Sequence, residues 1–352
     1  MQPVSVCIIA KNEEKNIERC LSSLAPYDFE IVLVDTGSTD RTKELAAKYT
    51  DKIYDFTWCD DFAAARNFSL EKASNSFIFM LDCDEWIISM DVEELHYFMK
   101  KLSHAAGAVT RQNITGTPEH PGRTSDQTER FFSKKRFHYT GIIHEQLTPK
   151  FEKSFECLLL NTTIGHDGYC MSEQQRQEKG KRNLLLLQRQ AQNDPENPYI
   201  FYQLGKAYEL NKDWEQAKVS YETALSYPLD TELAFVQALI CSYGQLLLNL
   251  KLYEEALTHV VRFKDLQISA DYSYLAGIVY ENNSRYEDAL DSYLHAVQLP
   301  TASQTGANSF LSYYRLGKIL LMIEEYSTAK SYFIQCGEYP PALAELAKLR
   351  EY

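Results

Sequence analysis

Apolar residues run without a break through Phe77-Ile78-Phe79-Met80-Leu81 and stop at Asp82-Cys83-Asp84-Glu85. A continuous apolar run of this kind predicts a strand buried on both faces, as in a parallel sheet. The same pattern opens the chain, where Val4-Ser5-Val6-Cys7-Ile8-Ile9-Ala10 precedes Lys11-Asn12-Glu13-Glu14. Ile17, Leu21 and Leu24 then recur at helical spacing, so Asn12 is expected to cap a helix. Glu30-Ile31-Val32-Leu33-Val34-Asp35 repeats the strand, and Thr36-Gly37-Ser38-Thr39-Asp40 forms a turn into a helix expected from about 41 to 49. Strand, polar loop and helix in alternation predict an α/β domain built on a parallel sheet. The three strand ends at Ala10–Glu13, Asp35 and Asp82–Asp84 then share the carboxyl edge of the sheet, where ligands gather.

The pattern changes after Tyr169. A helix rich in leucine at 184–187 is expected to continue to about Asn193, and Asp194-Pro195-Glu196-Asn197-Pro198 ends it. Leu204-Gly205, Tyr208, Ala217, Tyr221, Ala224 and Pro228 follow at the spacing of a tetratricopeptide repeat, two antiparallel helices with small residues where they cross. The pattern returns at Ala276-Gly277, Tyr280, Ala289, Tyr293 and Ala296, and again at Leu316-Gly317, Ala329 and Phe333. Tyr253-Glu254-Glu255-Ala256-Leu257 marks a degenerate copy between them. The equivalent alanines are unevenly spaced, which requires two lengthened turns. About four such pairs would stack into an all-α solenoid with a continuous core. The expected organisation is an α/β domain over 1–170, a linker helix over 171–194 and helical repeats over 195–352.

Chemistry concentrates at the strand ends. Paired carboxylates such as Asp82 and Asp84 can hold a hard divalent cation, Mg²⁺ or Mn²⁺, which in turn grips a diphosphate. Neither G-x-x-x-x-G-K-[ST] nor a G-x-G-x-x-G after a strand is present, so dinucleotide and kinase-like chemistry are poorly supported. Arg66, in Phe62-Ala63-Ala64-Ala65-Arg66-Asn67, is placed to meet base or diphosphate.

Four ordered motifs, V-C-I-I-A-K-N-E-E, I-V-L-V-D-T-G-S-T-D, D-F-A-A-A-R-N and F-M-L-D-C-D-E, together resemble the family 2 glycosyltransferases of GT-A fold. The likeness runs from Val4 to about Tyr169. The later Phe137–Glu145 and Gly165–Tyr169 motifs are similar to a bacterial branch of lipopolysaccharide-core transferases and bacteriocin-peptide S-glycosyltransferases, the latter with a helical-repeat tail. The resemblance implies an inverting, metal-dependent hexosyltransferase that takes its sugar from a nucleotide donor, UDP-linked in expectation. It implies that Asp35 binds the base, that Ala10, Asn12 and Glu13 line the nucleoside pocket, and that Arg66 closes it. Asp82, Cys83 and Asp84 would follow the donor, with Asp82 and Asp84 on Mn²⁺ or Mg²⁺ and His166 completing the metal sphere. Glu145 would act as base, with His144 as alternative.

Each residue also has a plainer reading. Asp35 and Asp40 suit helix caps, Asp82 and Asp84 a solvated turn, His144 and Glu145 an exposed pair, and His166 a turn beside Gly165 and Gly168. Trp58 and Phe62 read as packing residues, Cys83 as packing rather than a nucleophile, and Arg130 with Lys134-Lys135-Arg136 as an acceptor edge or a solvated hairpin face. A non-catalytic repeat adaptor with a vestigial transferase domain is the alternative function.

Composition narrows the partners. The net charge of −13 argues against binding nucleic acid through its phosphates, and −8 of it falls in 195–352. That excess would suit a basic peptide acceptor docked on the repeats, although a glycan acceptor, a homodimer contact and simple solubility are equally open. No run is long enough to span a bilayer, no signal peptide is visible, and eight cysteines without a C-x-x-C pair point to a reduced, cytoplasmic protein.

Overall fold

A computed structural model of the protein describes residues 4–117, 120–167, 173–266 and 269–349. Gly168 and Tyr169 of the motifs above lie outside the described residues. The chain divides into two compact units, Met1–Gln190 and Ala191–Tyr352.

The first unit is built on the strands that the apolar runs predict. Strands β1 (Val4–Ala10) and β2 (Glu30–Asp35) are linked by helix α1 (Ile17–Ser22), and α2 (Thr42–Ala46) leads to β3 (Ile53–Asp55). Helix α3 (Phe62–Lys72) connects to β4 (Phe77–Met80), followed by β5 (Glu85–Met90) and α4 (Val92–Lys101). A long ribbon, β6 (Ala106–Thr117) and β7 (His120–Ser133), precedes a separate hairpin of β8 (Phe137–Thr140) and β9 (Gln146–Pro149). Strand β10 (Cys157–His166) and helix α5 (Glu173–Asn193) complete the series.

Eight strands form one sheet in the order β3-β2-β1-β4-β7-β6-β10-β5. Strands β3, β2, β1 and β4 are parallel, whereas β7 runs antiparallel to β4 and to β6. Alternation in the central strands divides the core. Val6, Ile8, Phe77 and Phe79 enter one apolar layer with Ile17, Leu21 and Phe98, while Cys7, Ile78 and Met80 enter the other with Ala63 and Leu70 of α3. Both faces are covered, which is why β1 and β4 read as unbroken apolar runs.

Two local expectations need correction. Helix α1 begins at Ile17 after Asn16, not at Asn12. Asn12 has φ 57°, and its Oδ1 accepts from the Thr39 amide at 2.8 Å, so it pins the loop after β2 instead of capping a helix. The helix after Asp40 is also shorter than expected, ending at Ala46.

The second unit is helical: α6 (Pro198–Leu210), α7 (Trp214–Ser226), α8 (Ala234–Asn249), α9 (Tyr253–Arg262), α10 (Ala270–Asn282), α11 (Tyr286–Ala296), α12 (Phe310–Met322), α13 (Tyr326–Gln335) and α14 (Pro340–Lys348). Consecutive helices pair through short turns whose middle residues, Lys212, Lys251, Ser284 and Glu324, are left-handed with φ between 58° and 64°. One connection between pairs is lengthened, over 297–309; the other long step comes instead from the helices, α8 having 16 residues where α6 and α10 have 13. Within three pairs a glycine lies under an aromatic ring of the following helix. A Cβ on Gly205, Gly277 or Gly317 would come within 2.2, 2.4 and 2.6 Å of Tyr221, Tyr293 and Phe333. The degenerate pair has Gly244 but Val260 at the ring position. Among the described residues, no helix is long and apolar enough to cross a membrane.

Candidate functional site

The carboxyl ends of β1 and β4 open into a cavity of about 870 Å³. From β1 and its loop come Ala10, Lys11 and Glu13, and from the β4–β5 turn Asp82, Cys83 and Asp84. Arg66 reaches in from α3, His144 and Glu145 from the β8–β9 loop, and His166 from the end of β10. The structure therefore brings these predicted residues together. Asn12 and Asp35 do not line it, although their chain neighbours Lys11, Glu13 and Thr36 do.

Asp35 is 2% exposed, and its Oδ2 accepts from the Gly37 and Ser38 amides at 3.1 and 2.9 Å. It closes the turn after β2 and does not cap α2, whose N-cap is Arg41. Its Oδ1 is buried without a hydrogen-bond partner in the chain.

Asp82 lies at the centre of a buried charge array. Its Oδ1 accepts from Arg66 Nη2 at 2.8 Å and its Oδ2 from Arg130 Nη2 at 3.0 Å. Arg66 also donates through Nε to Glu145, and Arg130 donates to Glu85, which is 0% exposed. Burial would raise the Asp82 pKa, but Arg66 and Arg130 hold its carboxyl far below the usual range. Burial likewise works against the Arg66 charge, and Asp82 and Glu145 more than offset it. Arg130 is thus no solvated hairpin residue: it is 5% exposed, because its strand β7 sits beside β4 in the sheet. The Phe131-Phe132 pair that follows it was the available signal, since a charge entering a buried run must itself be paired. Lys134 is also engaged, donating to the Leu70 carbonyl at 3.0 Å beyond the end of β7.

Asp84 faces His166, with Oδ2 and Nε2 3.5 Å apart. The Nδ1 of His166 lies 2.7 Å from Asn113 Oδ1, and the Asn113 amide donates to Asp126 Oδ2 at 3.0 Å. Asn113, Asp126 and Arg111 carry no local motif. Strand register, not sequence proximity, brings them to the site. Among the described residues no three His, Cys, Asp or Glu side chains converge as a ready-made metal cluster. Asp84 and His166 nevertheless supply an oxygen and a nitrogen side by side, a set that suits Mn²⁺ or Mg²⁺ when other ligands come from a diphosphate and water.

Other wall residues have defined tasks. Trp58 packs edge-on to Phe62 at 4.8 Å, and Arg182 of α5 lies over the Phe62 ring at 5.6 Å. Gln190 Oε1 accepts from the Ile143 amide at 3.2 Å, so α5 braces the loop that carries His144 and Glu145. His144 is left-handed at φ 51°, an uncommon conformation for a residue with a side chain. Burial pushes the Cys83 thiol well above its ordinary pKa, so it packs as a neutral group.

Residues 5–162 match the family described as Glycosyl transferase family 2, and residues 198–230 match the Tetratricopeptide repeat family. The chain is 28% identical over 248 residues to the SPbeta prophage-derived glycosyltransferase SunS of Bacillus subtilis, covering 68% of this chain and 57% of that protein. It is 29% identical over 213 residues to a TPR repeat-containing protein of Synechococcus elongatus, covering 58% and 52%. It is also 29% identical over 157 residues to the lipopolysaccharide core biosynthesis glycosyltransferase LpsC of Rhizobium meliloti, covering 42% and 58%. The alignments thus span about half the length of these relatives.

Proposed function

We propose that this chain, a family 2 glycosyltransferase domain followed by tetratricopeptide repeats, moves a sugar from a nucleotide diphosphate donor to an acceptor nucleophile with inversion at the anomeric carbon. The observation that carries this reading is one cavity that holds Asp84, His166, Arg66 and Glu145 at the carboxyl edge of the sheet. Its size suits a nucleotide sugar, and the buried, unpartnered Asp35 Oδ1 beside it suits the N–H of a pyrimidine such as uracil.

Asp84 and His166 would hold Mn²⁺ or Mg²⁺, because both Asp82 oxygens are already taken by arginines. When bound, that cation supplies positive charge to the departing diphosphate. Arg66 adds a fixed guanidinium whose Nη1 is buried without a partner in the chain. Glu145 takes the proton of the acceptor as the bond to the sugar forms, with His144 beside it as the alternative base. A single displacement on the face opposite the leaving group inverts the configuration.

The acceptor reading rests on the repeats. Helix pairs of this type offer a concave face suited to a peptide, and the acidic excess of 195–352 favours a basic one. The chain would then join donor and peptide, as a monomer or as a homodimer.

Calorimetry of the full chain with UDP, with and without Mn²⁺, tests the donor half of the reading. Binding that requires Mn²⁺ and disappears in Asp84→Ala is expected. An absence of nucleotide binding under all conditions would leave the non-catalytic adaptor as the better account.

A further inference from the structure

We propose that Asn113 is a positioning residue that holds a ring hydrogen on Nδ1 of His166, so that Nε2 joins Asp84 as the ligands of one cation site. This rests on the reading above that a divalent cation joins Asp84. Asn113 is 3% exposed and lies behind the cavity wall, so it acts through His166.

The register supplies the geometry. Strand β10 pairs with β6 so that His166 lies opposite Asn113, and with β5 so that His166 also lies opposite Glu85. In the β6–β7 ribbon Arg111 lies opposite Asp126. Residues 111 and 113 point to the same sheet face, because side chains alternate along a strand. One row of polar groups therefore crosses the strands beneath the site.

The chemistry of that row leaves one arrangement. Arg111 donates twice to Asp126, through Nε and Nη2, both at 2.9 Å. Burial would raise the Asp126 pKa, but Arg111 lowers it, so Asp126 is an ionised carboxylate that only accepts. The Asn113 amide must then offer its NH₂ to Asp126, at 3.0 Å, because the flipped amide would set two oxygens against each other. Asn113 Oδ1 is thereby turned to His166 Nδ1 at 2.7 Å, and an amide oxygen there can only accept. The ring hydrogen is placed on Nδ1. With that hydrogen on Nδ1, Nε2 is the ring nitrogen that can take a cation together with Asp84 Oδ2, 3.5 Å away. The Asn113–Asp126–Arg111 row is in this sense the outer support of the site. Arg111 also lies 3.6 Å from Glu85, which accepts from Arg130, so the same row reaches Asp82 from behind.

The test uses the full chain and Mn²⁺ alone, read by the electron paramagnetic resonance of the free ion, together with ¹⁵N-histidine NMR of the metal-free protein. Wild type should show His166 with its hydrogen on Nδ1. Asn113→Leu, nearly isosteric and without an acceptor, should weaken Mn²⁺ by about 10–100-fold, the usual effect of removing such a partner, and move the hydrogen toward Nε2. Asn113→Gln, which keeps an amide oxygen as acceptor for Nδ1, should retain more Mn²⁺ affinity than Asn113→Leu. His166→Ala and Asp84→Ala should each weaken Mn²⁺ at least as much as Asn113→Leu. If those two weaken the ion and Asn113→Leu leaves affinity and tautomer unchanged, the positioning role is wrong and the metal reading stands. If neither His166→Ala nor Asp84→Ala has an effect, the metal reading itself fails. Should Asn113→Leu not fold, the wild-type tautomer decides: a ring hydrogen on Nε2 and none on Nδ1 in the metal-free protein overturns the proposal.

Discussion

The guanidinium of Arg130 lies 3.0 Å from Oδ2 of Asp82, although 48 residues separate them in the chain. Arg66 holds the other oxygen of the same carboxylate at 2.8 Å. The first acid of the D-x-D motif is therefore neutralised by the protein itself. The second, Asp84, faces His166 instead, so the two acids of the motif have different partners.

Replacing Arg130 by Met should destabilise the first unit strongly. Glu85, fully buried, would lose its donor and face only Arg111 at 3.6 Å, while Asp82 would keep Arg66 alone. Breaking one partner out of a buried pair costs about 3–5 kcal/mol. A fall of that size in urea-unfolding free energy is expected. An unchanged midpoint would mean that water or local rearrangement replaces the lost donor.

Glu145→Gln keeps volume and an acceptor oxygen for the Arg66 Nε but removes the proton-accepting charge. Donor affinity should be retained, and turnover should fall by on the order of 10²–10⁴, the range for loss of a general base. Normal turnover would pass the role to His144. Loss of donor binding would show that the main task of Glu145 is to hold Arg66.

Acid should loosen the repeats through His259. Burial lowers its pKa from 6.5 to about 4, with Nε2 2.8 Å from the Ile240 carbonyl and the ring edge-on to Tyr243. A folded value below the unfolded one means that the protonated ring prefers the unfolded chain. The stability it contributes is complete above pH 6.5 and is lost as pH falls from 6.5 toward about 4. Urea unfolding of the full chain should therefore give a lower unfolding free energy for the repeats in mild acid than at neutral pH, by at most ~3 kcal/mol. His259→Gln, which keeps a donor for Ile240, should flatten this dependence. An equal slope in the variant would assign the effect to other groups.

Gly277→Ala should cost more than Gly244→Ala. The new Cβ at 277 would sit 2.4 Å from the rigid Tyr293 ring, whereas at 244 it would meet the flexible end of Leu275 at 2.6 Å. Overpacking of this kind costs about 1–3 kcal/mol. Thermal unfolding of the two variants side by side gives the comparison, and equal losses would mean that the Tyr293 ring moves as freely as a leucine.

Glycosyl transfer to the natural acceptor should depend on the repeats, while donor chemistry should not. A chain ending after Asn193 keeps Arg182, Asn183 and Gln190 of the first unit. Hydrolysis of the donor by that fragment should remain measurable and transfer should fall sharply. Transfer at the full-length rate would make the repeats a dimer contact or a stabilising element.

Some of this molecule was determined by local pattern. The strands around Val6, Val32 and Phe79 and the repeat helices around Gly205, Gly277 and Gly317 were legible because burial on two faces or on one stripe is written within a few residues. The gathering of Ala10, Arg66 and Asp84 at one edge also followed, since a parallel sheet places every strand end of one sense on the same side. Tertiary structure alone decided the rest. Asn12 gave up a helix cap because the loop after β2 offered its amide to the side chain, a partner the local sequence cannot weigh. Arg130 became buried, and Asn113, Asp126 and Arg111 became neighbours of the site, through the order and register of β7, β6 and β10. Register is set by pairing between segments tens of residues apart. The same alternation of side chains permits many pairings, and only the packed sheet selects the one that carries His166 to Asp84.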